Sequence, residues 1–223
     1  MSTPDFDPAK NCARWVSYFD ILGFENRVKA DWVAAHAELD ACLERLAAHQ
    51  EIIGDIECAW FSDSFLFYTH DSSRGSLHRI DRASQWFFDD LLDEGIPLRG
   101  AMAFGELYVD KAFNMFVGPA LVNAVKFGER YDWIGFVLHD SARKEVEKVG
   151  QPLGNQSYKP WSAKVSRQQS EPEDVRAYLF DFSSASAIEG MMCEVADPKV
   201  LPKYENALNF YRHFNATQPF APE

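Results

Sequence analysis

Trp15-Val16-Ser17-Tyr18-Phe19-Asp20-Ile21-Leu22-Gly23-Phe24 is the stretch on which the fold turns: a short apolar run with one acidic residue near its end. A second run, Ala59-Trp60-Phe61-Ser62-Asp63-Ser64-Phe65-Leu66-Phe67-Tyr68, repeats the pattern. Apolar runs this short, rich in aromatic and branched residues, read as buried β-strands. Asp20 and Asp63 then stand where a charge is costly, and an uncompensated buried carboxylate either destabilises the fold or shifts its pKa. Divalent cations are a common compensation, so a metal site is the first expectation.

A period of two puts Val16, Tyr18 and Asp20 on one strand face and Ser17, Phe19 and Ile21 on the other. Taken singly, each acid has a bland reading. Asp20 is a strand-end residue bonding a turn or capping the next helix, and Asp63, between two serines, accepts local N–H groups in a hairpin turn. The pair says more. One helix separates strand one from the hairpin, an arrangement in which strands become sheet neighbours, and adjacent carboxylates repel unless cations lie between them. The Gly23-Phe24 turn just beyond lets backbone approach a ligand closely.

Outward from these runs, strand one covers Trp15 to Leu22, a helix runs from Ala30 to Gln50, and a hairpin from Ile56 to Thr69 turns at Ser62-Asp63. A helix over Leu77 to Leu92 stops at Gly95-Ile96-Pro97. A strand from Leu98 to Glu106 closes at a glycine turn, and a returning strand near Asn114 to Val117 precedes a helix over Ala120 to Arg130. Then come a strand at Trp133 to Leu138, a helix at Asp140 to Val149, a hairpin pairing Trp161 to Ser166 with Val175 to Phe180 across Arg167 to Asp174, and a tail helix from Pro202 to Phe214. The fold class is α+β, with one domain over 15–216 and loose ends at 1–14 and 217–223.

Within the strand at 98–106, Arg99 interrupts an apolar run, where an arginine needs a partner. It reads either as half of an ion pair, with Glu106 a candidate, or as a bidentate phosphate clamp. Lys111 and Lys126 read as solvated cations.

The chain has 223 residues and is 47% hydrophobic, enough for a substantial core. Its formal charge of −12 argues against a nucleic-acid polymer as partner, since phosphate backbones are held by a surplus of lysine and arginine. A small nucleotide is compatible when metals supply the positive charge. No apolar stretch reaches the roughly 18 residues a membrane span requires, and Met1 to Pro8 lacks the basic and apolar regions of a leader. Cys12, Cys42, Cys58 and Cys193 are widely spaced and read as reduced thiols, so a cytoplasmic location and no membrane partner are expected. The six histidines show no HxxxH or HExxH spacing, and GxSxG, GxxxxGK[ST] and GxGxxG are all missing, which removes the main support for zinc hydrolase, esterase, P-loop and dinucleotide-binding assignments.

Four segments in order resemble the class III nucleotidyl cyclase domain: Tyr18-Phe19-Asp20-Ile21-Leu22-Gly23-Phe24; Phe61-Ser62-Asp63-Ser64; Gly95-Ile96-Pro97-Leu98-Arg99-Gly100-Ala101-Met102-Ala103-Phe104-Gly105-Glu106; and Phe116-Val117-Gly118-Pro119-Ala120-Leu121. The compact build and the Phe-Ser-Asp-Ser variant are similar to the bacterial pyrimidine cyclases of Pycsar antiphage signalling. The resemblance covers residues 15–130. It implies a ferredoxin-like core with a C-terminal strand and helix elaboration, paired head to tail as a homodimer with nucleotide at the subunit interface. It implies that Asp20, Asp63 and the Ile21 carbonyl bind two Mg²⁺ or Mn²⁺ ions, that Arg99 holds phosphate charge, and that the backbone from Phe19 through Ile21 and Gly23 to Phe24 wraps the triphosphate. The implied reaction is UTP to 3′,5′-cyclic UMP and pyrophosphate, with CTP to cyclic CMP as the alternative and a catalytically silent regulatory domain as the rival. The product would be read by a separate cyclic-nucleotide-binding effector.

The resemblance breaks at two positions. Adenylate and guanylate cyclases carry an arginine four residues after an asparagine on the helix following the second hairpin; here Asn123 is followed at that spacing by Phe127, which leaves Arg99 or Lys126 to take the role. The adenine-reading lysine upstream of the second aspartate is replaced by Glu57 and Cys58, which argues against adenine.

Overall fold

The structure, a computed structural model, describes residues 7–48, 54–149, 157–163, 172–195 and 198–215. The expected loose ends at 1–6 and 217–223 lie outside them. Eight strands form one sheet: β1 (Asn11–Ile21), β2 (Glu57–Phe61), β3 (Ser64–Tyr68), β4 (Leu98–Asp110), β5 (Met115–Val117), β6 (Gly135–Leu138), β7 (Tyr158–Ala163) and β8 (Glu173–Tyr178), in the order β2-β3-β1-β4-β6-β8-β7, with β5 paired to β4. The helices are α1 (Phe24–Ala30), α2 (Trp32–Ala48), α3 (Arg74–Asp93), α4 (Pro119–Gly128), α5 (Asp140–Val149), α6 (Phe182–Glu194) and α7 (Leu201–Asn215). This is the α+β architecture expected from sequence.

Strand β1 is the spine. It pairs antiparallel with β3 on one side and, over its whole length, with β4 on the other. Its alternation separates two cores. Trp15, Phe19 and Ile21 enter the large core with Phe87, Leu91 and Phe136, while Val16 and Tyr18 join Leu66, Tyr68, Ala103, Ala120 and Ala124 beneath α4. Ser17, fully buried, accepts from Ser84 Oγ of α3 at 2.8 Å, the polar pin between that helix and the strand. The expected division of faces holds.

The two long strands approach closely at Phe19 and Gly100, which are opposite in register. A Cβ at residue 100 would lie 2.3 Å from the Tyr18 carbonyl oxygen and 3.0 Å from the rings of Phe19 and Phe136. Only glycine fits there without moving backbone.

Differences from the sequence reading have local causes. β1 begins at Asn11, so residues 11–14, expected in a loose end, are strand; buried Arg14 donates to the carbonyls of Leu107, Thr69 and His70 and ties three strands together. β4 continues through Gly105 to Asp110 instead of closing there, because pairing with the long β1 overrides the turn signal. The helix expected from Ala30 begins at Trp32 as α2, because the Asp31 carboxylate accepts from the N–H groups of Val33 (3.0 Å) and Ala34 (3.1 Å) and caps it; the short α1 before Asp31 was not expected. Residues 49–53, which include the expected end of that helix, lie outside the described set, as do 164–171 of the late hairpin. Helix α6 was not expected. Its Ser/Ala/Gly-rich sequence carries no clear apolar stripe, and its start is fixed by Asp181, which accepts from the Ser184 N–H at 2.9 Å.

Candidate active site

Register builds the site. Asp20, next to last in β1, stands opposite Ser64 on β3 and Arg99 on β4. Residues directly opposite in an antiparallel pair share a face with Cβ atoms about 5 Å apart, so a hydroxyl and a guanidinium flank this carboxylate by backbone pairing alone. Arg99 Nε donates to Asp20 Oδ2 at 3.0 Å, and Arg99 Nη1 donates to the Glu129 carbonyl at 2.9 Å at the end of α4. Both members of the ion pair are mostly enclosed, with side chains 17% and 16% exposed for Arg99 and Asp20. The ion-pair reading of Arg99 is therefore realised, with Asp20 as partner rather than Glu106.

Tyr18, one step along the same face, bridges Ser64 Oγ and Glu129 Oε1, each at 3.0 Å. Burial pushes its phenol far above the usual range, so it remains protonated. Burial also raises the Asp20 carboxyl; Arg99 opposes that rise, and the negative charges of Asp63 and Glu129 add to it.

Asp63 sits in the two-residue turn between β2 and β3, after Ser62 with φ 55°. Its carbonyl accepts from the Ile21 N–H at 3.0 Å. A strand residue points its N–H and C=O to the same side, so the Ile21 carbonyl faces the Asp63 turn. Gly23, with φ 77°, turns the chain from β1 into α1 through a conformation that favours glycine. The structure thus brings Asp20, Ile21, Asp63 and Arg99 together at one end of β1. Phe19 and Phe24 differ: both rings are core residues, and Phe19 backbone lies within both ladders.

A divalent cation fits this arrangement. Among the described residues, the Asp63 carboxylate and Asp20 Oδ1 accept no protein hydrogen bond, so acceptor capacity is left at two neighbouring carboxylates. No group of three or more His, Cys, Asp or Glu side chains that could hold a metal occurs among the described residues. Magnesium-type sites need no such cage, using one or two carboxylates plus water and substrate phosphate.

The same sheet face carries a second feature four residues down the strands. A cavity of about 310 Å³ is lined by Glu57, Cys58, Tyr68, Lys111, Asn114 and Phe116. Glu57 pairs with Lys111 at 2.6 Å and lies 3.2 Å from His70, so Lys111 is paired rather than merely solvated. The Tyr68 and Phe116 rings are 5.6 Å apart. Burial pushes the Cys58 thiol up to about 12, which keeps it neutral. On α4, Phe127 packs edge-on against Tyr131 and His139, so the position that lacks arginine is an aromatic contact, and Lys126 is exposed.

Sequence reasoning did not single out Tyr18, Ser64 or Glu129 as site residues. Tyr18 and Ser64 had a signal, since period two and the hairpin turn put them beside Asp20. Glu129 had none, being placed only by the docking of α4.

No family model matches the chain, and no curated protein matches it in sequence. Solved structures match in fold. The guanylate cyclase domain of RhGC from Catenaria anguillulae, solved with GTP, aligns at TM-score 0.51 and 16% identity over 74% of this chain and 95% of its own. The fold is shared with solved guanylyl and adenylyl cyclase domains. The monomeric guanylyl cyclase domain of the RhoGC fusion protein from Blastocladiella emersonii aligns at TM-score 0.54 and 13% identity over 75% of this chain and 95% of its own. Adenylate cyclases from Trypanosoma brucei, in their monomeric state, align at 0.51 and 11%, over 75% and 88%. No helix among the described residues is long and apolar enough to cross a membrane.

Proposed function

We propose that this protein is a homodimeric, divalent-metal-dependent nucleotidyl cyclase acting on a pyrimidine triphosphate, UTP before CTP, and that its product serves as a second messenger in antiphage defence. The observation that carries the reading is Asp20 held between Ser64 and Arg99 by strand register beside the Asp63 turn. Asp20, Asp63 and the Ile21 carbonyl would hold the cations. Mg²⁺ or Mn²⁺ held by these residues would supply positive charge to lower the pKa of the ribose 3′-hydroxyl and offset the α-phosphate charge. Arg99 orients Asp20 and offers its remaining guanidinium edge to phosphate oxygens. Tyr18 and Ser64 hold the wall of the site through the Glu129 bridge.

The cavity beside Glu57 suits the base. A carboxylate acceptor next to an ammonium donor matches N3–H and O4 of uracil, and with positions exchanged it matches N4–H and N3 of cytosine. Register sets Glu57 opposite Tyr68, and Tyr68 opposite Val16, four residues from Asp20, or about 13 Å along the strand. Two antiparallel copies facing through this surface would bring each cavity to the partner's carboxylates. Phe61, 83% exposed at the hairpin tip, and Val122, exposed on α4, supply apolar surface on that face.

The test is to incubate purified protein with Mn²⁺ and ATP, GTP, CTP or UTP separately and identify products by mass spectrometry. Cyclic UMP from UTP, absent with Asp63→Ala, is expected. Cyclic CMP alone would move the reading to cytidylate cyclase, a cyclic purine product alone would overturn it in favour of an adenylate or guanylate cyclase, and no cyclic product from any of the four would overturn it in favour of a silent domain, which the absence of arginine at Phe127 favours.

A further inference from the structure

Ser64 stands directly opposite Asp20 in the β1–β3 ladder, a pairing that sets the two Cβ atoms about 5 Å apart and a hydroxyl within reach of the carboxylate. Among the described residues the two do not bond. The Ser64 hydroxyl lies 3.0 Å from the Tyr18 phenol instead, and that phenol lies 3.0 Å from Glu129 Oε1. Proton counting gives this chain a direction. A carboxylate only accepts and a phenol has a single proton, which burial keeps in place on Tyr18, so Tyr18 donates to Glu129 and its oxygen accepts from Ser64. The Ser64 proton is thereby drawn away from Asp20. Arg99 Nε takes Asp20 Oδ2 at 3.0 Å, and among the described residues Oδ1 accepts nothing. Glu129 is itself anchored: its carbonyl accepts from Arg99 Nη1 at 2.9 Å, and the next two residues, Arg130 and Tyr131, both bond the Glu173 carboxylate at the start of β8, Tyr131 at 3.2 Å.

We propose that Glu129 and Tyr18 are positioning residues that turn the Ser64 hydroxyl away from Asp20 and so keep Oδ1 open for a divalent cation. This rests on the reading of Asp20 and Asp63 as cation ligands. A hydroxyl facing an enclosed carboxylate donates to it in a strong, charge-assisted hydrogen bond, and a cation arriving there must break that bond first. Committing the Ser64 proton to Tyr18 removes the competitor in advance. The arrangement brings a third negative charge, that of Glu129, close enough for Asp20 to sense it. A bound cation offsets that repulsion, so the same residue that directs the hydroxyl also favours the cation.

Titration of the full chain with Mn²⁺ in the absence of nucleotide, with the free ion followed by electron paramagnetic resonance, tests it. Tyr18→Phe changes no charge yet releases the Ser64 proton to Asp20, and should weaken Mn²⁺ binding about tenfold, the scale of one hydrogen bond to a charged group. Adding Ser64→Ala should recover most of that loss, because no hydroxyl remains to occupy Oδ1. A packing role for Tyr18 would give no such recovery. Glu129→Ala, at an exposed position, reads the same chain should Tyr18→Phe fail to fold, and its loss should likewise shrink when Ser64→Ala is added. Wild-type affinity in Tyr18→Phe, or a double variant as weak as the single one, would overturn the proposal, as would a wild-type protein that binds no Mn²⁺ at millimolar concentration. The recovery pattern in a protein that forms no cyclic nucleotide would overturn the cyclase reading and support this one.

Discussion

Two parts of this molecule enclose carboxylates, and they compensate them differently. At the end of β1, Asp20 has a guanidinium at 3.0 Å and a second carboxylate nearby, an arrangement built around charge. On α3, Asp81 is buried and accepts from the Tyr158 phenol at 2.8 Å and the Gln85 amide at 2.9 Å, while Asp89, one helix face along, accepts from the Tyr178 phenol and from Ser184 Oγ at 3.1 Å. No cation partners either acid among the described residues' ion pairs, although Asp81 senses His78. Burial pushes the Asp89 carboxyl up to about 7, with Asp181 and Asp93 adding to the rise. Burial raises the carboxyls in both places, but only Asp20 has a guanidinium opposing the rise, whereas Asp81 and Asp89 are held by phenol, amide and hydroxyl donors.

The largest expected effect comes from removing the charge at the first place. Asp20→Asn keeps the shape and should lower cyclase turnover about 10³-fold, the scale of ~4 kcal/mol of transition-state stabilisation, with the melting temperature shifted by no more than a few degrees. A variant retaining wild-type turnover in the mass-spectrometric assay would break the contrast at its stronger end.

At the second place the effect is on stability. In the folded protein Asp89 keeps its proton up to about pH 7, whereas the unfolded chain releases it near 3.8. The folded state binds more protons between those values, so this contribution is fully present below about pH 3.8 and lost as pH rises through 7. At 1.36 kcal/mol per unit, the change is no more than about 4 kcal/mol. Asp89→Asn should flatten that slope, giving a higher unfolding free energy than wild type at pH 8 in urea titrations. Identical slopes in the two proteins would show that Asp89 is not the titrating group.

Smaller again is Tyr178→Phe, which leaves an Asp89 oxygen without its donor and should cost about 1–3 kcal/mol, measured by the same titration. Smallest is Arg99→Lys, which keeps the charge and loses the fork. Turnover should fall about tenfold, near 1.4 kcal/mol, and an unchanged rate would mean that only the charge at position 99 matters.

What the sequence disclosed follows the same physical division. β1, β3 and the start of β4 were legible because strands buried on both faces are written as continuous apolar runs, and the Asp63 turn because two serines and an acid interrupt one. Asp20 and Asp63 stood out for the same reason. The partner of Arg99 was not legible, since nothing local says which residue of a strand 79 positions earlier lies opposite. Glu129 and the tyrosine partners of Asp81 and Asp89 come together only through tertiary docking. α6 escaped because serine, alanine and glycine carry little periodic signal, and β4 ran long because its partner did.

Gly100 has a consequence for how such a chain can change over generations. Alignment with solved cyclase domains at 16% identity or less leaves the fold recognisable, so nearly every side chain is negotiable. A space narrower than one methyl group is not. Any mutation of codon 100 that encodes a side chain drives a carbon against the Tyr18 carbonyl, prising the two longest strands apart one residue from the Asp20–Arg99 pair. The position with the least room beside the site is then one that bears no functional group.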